Sequence, residues 1–67
     1  MNDDALKAAV SQFLRHVSGT AQRELEKAVR NGVASGKLRA NELCNTGVTL
    51  SIDKVGLDVT IHGSIKL

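Results

Sequence analysis

The chain has no proline, no tryptophan and no tyrosine, and it carries one cysteine and one phenylalanine. Each shortage excludes something. A lone Cys44 cannot form an internal disulfide, whereas small secreted domains are usually stapled by several. With Phe13 as the one aromatic ring, base stacking of the kind used by single-stranded nucleic-acid binders has little to work with. The same shortage removes the Trp and Tyr anchors of a conventional interface hot spot. No apolar run is long enough to cross a bilayer. The opening Met1-Asn2-Asp3-Asp4 is acidic, whereas a signal peptide opens basic. The expected compartment is the cytoplasm, with no membrane partner.

Length is also scarce. With 67 residues the chain is expected to be a single small domain, residues 1–67, too short for a Rossmann fold, a barrel or a transporter. A chain of this size buries only about 60% of the surface that its unfolded form exposes. Seven of its apolar residues are alanines, which bury little. A small core without staples favours self-association. The net charge of +2 is too low to point to nucleic acid by itself, but residues 1–37 hold six basic and four acidic groups, against three of each in residues 38–67.

What is present is two periodicities. Leu6, Val10, Phe13, Leu14 and Val17 form a helical stripe, so a first helix is expected over about 4–17. Asn2, Asp3 or Asp4 can cap it, Arg15 and His16 suit its last turn, and Ser18-Gly19 is expected to stop it. Thr20 is a good cap for a second helix over about 21–34, with Ala21, Leu25, Ala28, Val29 and Val33 as its apolar face. Glu26 precedes Arg30 by four residues, the favourable order for an ion pair. Asn31-Gly32 is a turn signal that could end this helix early; continuation is preferred because Val33 keeps the phase and Gly36 suits the position just past a helix end.

After Gly36 the period becomes two. Val48, Leu50 and Ile52 alternate with polar residues, and so do Leu57, Val59, Ile61, Ile65 and Leu67. Strands are expected at about 48–53 and 58–67. Residues 37–39 are a candidate third strand, and residues 40–47 read as a loop. Only an even-length turn puts the apolar positions of both strands on one face. A four-residue turn Lys54–Leu57 is expected, pairing Ile52 with Val59 and Leu50 with Ile61, at the cost of setting Asp53 against Asp58. The fold class is α+β: two N-terminal helices packed on a small antiparallel sheet of two or three strands, ααββ or ααβββ.

The opening Met1–Asp4, then Phe13-Leu14-Arg15, Thr20 with Gln22, Glu24–Arg30, Ala34–Leu38, Val48-Thr49-Leu50, Gly63, Ile65 and Leu67 resemble a family of very short bacterial proteins that carries a domain-of-unknown-function label. The similarity spans nearly the whole chain, and Asp53–Ile61 departs most from the pattern. The resemblance implies a bacterial, cytoplasmic, stand-alone domain, and it implies no activity.

The chemistry is sparse. Cys44, His16 and His62 are the soft metal-ligand types, but no CxxC or HxxxH spacing joins them. Cys44 lies near Glu42 and Asn45, not near the positive groups that activate a thiolate. Asp53 and Asp58 are better read as a solubilising pair at a turn than as an acid–base pair. No catalytic, cofactor-binding or metal-binding residue is assigned, no cofactor is expected, and an enzyme is not expected. The best positive signal is Arg23, Lys27 and Arg30, spaced to share one outward helix face. A solvated face of mixed charge is the simpler account of them, since Glu24 and Glu26 flank the stripe. The expectation is a non-catalytic protein-interaction module, with a protein partner or self-association such as a homodimer. The alternative is weak nucleic-acid binding through Arg23, Lys27 and Arg30.

Overall fold

A computed structural model describes residues 1–67. It contains one helix, α1 (Asp3–Ala34), followed by two strands, β1 (Leu43–Ile52) and β2 (Leu57–Lys66), joined through a short 3-10 turn at Asp53–Val55. The class is α+β, but the two expected helices are a single one, and no third strand forms. The chain divides into two units, Met1–Lys37 and Leu38–Leu67.

In the first unit, the Asn2 side chain caps α1, its Oδ1 accepting from the backbone N–H of Asp4 at 2.9 Å and of Ala5 at 3.2 Å. Asp3 and Asp4 occupy the first turn, where the positive end of the helix dipole favours them. The expected stop at Ser18-Gly19 fails. Gly19 keeps a negative φ, and a helical glycine costs only about 1 kcal/mol relative to alanine. Ending the helix there would orphan four carbonyls and four N–H groups at two new termini. Thr20 does not cap anything; its Oγ1 accepts from the Arg23 guanidinium at 3.3 Å. Arg15 and His16 therefore sit in mid-helix instead of a last turn.

The helix runs on through Asn31-Gly32 and ends on Gly36, at φ 79°. The Gly36 N–H donates to the Val33 carbonyl and the Lys37 N–H to that of Gly32, the paired closing bonds of a Schellman motif. At 32 residues α1 is about 48 Å long.

In the second unit, residues 37–39 are not a strand. Arg39 and Glu42 close a turn instead: the Arg39 N–H donates to Glu42 Oε1 at 2.9 Å, and the Glu42 N–H to the Arg39 carbonyl at 3.2 Å. β1 then starts at Leu43, five residues earlier than expected, because Cys44 and Thr46 continue the alternation of Val48, Leu50 and Ile52 and find partners in Ile65 and Gly63. Both strands are ten residues long.

The turn has four residues, as expected, but they are Asp53–Gly56, not Lys54–Leu57. The last position of the turn is left-handed, and Gly56 fills it at φ 66°. In the expected frame that conformation would fall on Leu57, where a side chain makes it costly. The pairing becomes Ile52 with Leu57, Leu50 with Val59 and Val48 with Ile61, in place of Ile52 with Val59 and Leu50 with Ile61. Asp58 now faces Ser51, so the expected meeting of Asp53 and Asp58 does not occur. The apolar face survives because the correction is even-numbered. The other face holds Thr49 and Thr60, whose hydroxyls lie 3.1 Å apart.

Neither unit holds a buried side chain. Val17, Ala21, Leu25 and Val29 on α1, and Cys44, Leu50 and Ile65 in the hairpin, are half-buried. Phe13, Ile52 and Ile61 are 59%, 54% and 55% exposed.

Candidate functional site

At 100° per residue, Arg23, Lys27 and Arg30 lie within a 60° sector of α1, opposite Leu25 and Val29. All three are exposed. Their surroundings differ. Arg30 donates to Glu26 Oε1 at 3.2 Å in the i,i+4 ion pair that the spacing predicts. Arg23 is tethered to the Thr20 hydroxyl. Lys27 has neither a hydrogen bond nor an ion pair.

The continuity of α1 adds a residue that the sequence reading missed. His16 lies seven residues before Arg23, two helical turns, so it joins the same sector. Its signal was the spacing itself, hidden by the assumption of a break at Gly19. From His16 to Arg30 the face extends about 21 Å along the axis. No carboxylate lies in that sector. Glu24 falls toward the Val17 side of the helix, and Glu26 is at its margin, engaged with Arg30.

The other chemical groups do not assemble. Cys44 is half-buried on the apolar face of β1. His62 is on the opposite face of the sheet, across from Gly47. No three His, Cys, Asp or Glu side chains come together as a metal site. Asp53 belongs to the turn and Asp58 to β2, so they do not pair across the ladder. No helix is long and apolar enough to cross a membrane.

Each unit also exposes apolar residues. Leu6, Val10, Phe13 and Leu14 form an exposed stripe on the first half of α1. In the hairpin, Val48, Ile52, Leu57, Val59 and Ile61 share one exposed face. At Gly47, on the polar face, an added Cβ would lie 3.4 Å from Thr60 Cγ2 and 3.7 Å from His62 Nδ1. Both are ordinary contact distances, so the site has room for a Cβ.

Residues 1–67 match a family of unknown function (DUF6494) over their whole length, and the chain belongs to that family. No curated protein matches the chain, and no solved structure matches it.

Proposed function

We propose, with that family membership as the premise, that the chain is a non-catalytic protein-interaction module acting in the cytoplasm. One observation carries this reading: taken by itself, neither unit buries a side chain, and each exposes apolar residues, along α1 and along the hairpin. Apolar stripes of this kind gain from burial at about 25 cal/mol per Å², and a second protein surface supplies that burial. Thermal unfolding followed by circular dichroism over a hundredfold range of concentration tests the reading. The expected result is a broad transition in dilute solution that sharpens and rises as association sets in. A sharp, concentration-independent transition of a monomer would show a self-sufficient fold and overturn it.

A second reading, weak nucleic-acid binding, is favoured by one observation: His16 extends the face of Arg23, Lys27 and Arg30 by two turns, with Glu26 at its margin engaging Arg30 alone. Three phosphate contacts by Arg23, Lys27 and Arg30 predict a slope of log affinity on log salt of about −2.7 on duplex DNA. Titration of labelled DNA and RNA at low salt checks it. Amide resonances of residues 16–30 that do not move would end this reading.

A further inference from the structure

The two edges of the hairpin are not equivalent. In an antiparallel ladder, residues alternate between those bonded to the partner strand and those whose N–H and C=O face outward. The Leu67 N–H donates to the Glu42 carbonyl at 3.0 Å, in the same register as the rest of the ladder. That bond fixes the alternation. The even residues of β1 bond to β2, and Leu43, Asn45, Gly47, Thr49 and Ser51 turn their backbone groups to the open edge. On β2 the outward set is Asp58, Thr60, His62, Ser64 and Lys66.

Natural edge strands guard themselves with charges, prolines or bulges. β2 follows this rule with Asp58 and Lys66. β1 has no charged residue in ten, no proline, and an unbroken one-to-one pairing with β2. All five of its outward residues are exposed, and none of their backbone groups has a partner within the hairpin. An isolated two-stranded hairpin is also marginal in water, and a third strand is the usual remedy.

We propose that β1 pairs edge to edge, antiparallel, with β1 of a second copy of this chain. This rests on the interaction reading above and names its partner. A two-fold axis at Gly47 pairs Asn45 with Thr49 of the second copy and Leu43 with Ser51. The same register sets Cys44 beside Leu50 and Thr46 beside Val48, so even residues meet even residues and the two apolar faces merge on one side. The result is a four-stranded sheet with β2 at each end. Its outer edges carry Asp58 and Lys66, so the assembly closes at two copies and does not extend into a filament.

Asn45 and Ser64 occupy the same rung of the ladder, and both face outward, one at each edge. Asn45→Pro and Ser64→Pro therefore remove one outward N–H from β1 or β2 and leave the ladder between them intact. Sedimentation equilibrium of the wild-type chain is expected to give twice the monomer mass, retained in Ser64→Pro and halved in Asn45→Pro. In the wild type, amide exchange at Asn45, Gly47, Thr49 and Ser51 is expected to slow about tenfold or more on association, since no ladder bond within the hairpin protects these groups. Equal loss of mass in both variants, loss in Ser64→Pro alone, or no loss in either overturns the proposal. So does a wild-type dimer in which those four amides exchange freely. Association that persists in Asn45→Pro defeats the β1 assignment and leaves the interaction module standing. A sharp, concentration-independent monomer transition defeats both.

Discussion

Gly19 and Gly56 both lie within well-formed regions, yet the backbone does opposite things at them. At Gly19 the chain stays helical, with Arg23 Nη1 3.6 Å from where a Cβ would sit. At Gly56 it turns left-handed at φ 66° and reverses between two strands. Glycine permits both conformations at little cost, so it decides neither. The flanks decide. Around Gly19, residues on both sides gain intrahelical bonds by continuing. Around Gly56, ten ladder pairs are gained by reversing.

The strongest test of this contrast is Gly19→Pro. It removes a bond and crowds the preceding turn of a helix that runs unbroken through this position, and it is expected to cost about 3 kcal/mol. A large loss of helical circular dichroism is expected, together with loss of His16 from the Arg23 face. Little loss would mean that residues 18–20 already break the helix in solution. Gly56→Ala comes next, at about 1–2 kcal/mol, because it places a Cβ in the left-handed region. Its signature is a lower thermal midpoint, with loss of the cross-strand amide couplings from Ile52 to Leu57. Gly19→Ala has the opposite sign: the site is helical and has room, so stability is expected to rise by up to about 1 kcal/mol. A destabilised Gly19→Ala would contradict a helical conformation there. The smallest effect is that of Glu26→Gln. It loosens the exposed ion pair with Arg30, costs about 0.3–0.5 kcal/mol, and shrinks as salt is added.

The sequence made some of this legible. Period-two alternation assigned the faces of both strands, because any even register preserves them. Spacing alone put Arg23, Lys27 and Arg30 on one helix face, and Gly36 marked the helix end. The continuity of α1 was not legible, since Ser18-Gly19-Thr20 carries local stop and cap chemistry while the outcome depends on bonds gained on both sides. The third strand was misread because Arg39 and Glu42 close a turn through a side chain, which a hydropathy pattern does not register. The early start of β1 was missed for a related reason: Asn45, Thr46 and Gly47 have the composition of a loop, and only pairing with Gly63, Ser64 and their neighbours makes them a strand. No sequence motif marked the outward backbone groups of β1, because which residues face the open edge is a property of the register.

The even-numbered correction of the hairpin has a kinetic consequence. Sliding one strand past the other by two residues restores the frame in which Asp53 meets Asp58, and every side chain keeps its face. The apolar surface therefore does not distinguish the two frames. The native one is held by the left-handed glycine at position 56 and by the avoidance of a single carboxylate encounter. That frame is reached only by breaking and remaking the whole ladder, so the left-handed turn at Gly56 fixes the register when the hairpin closes.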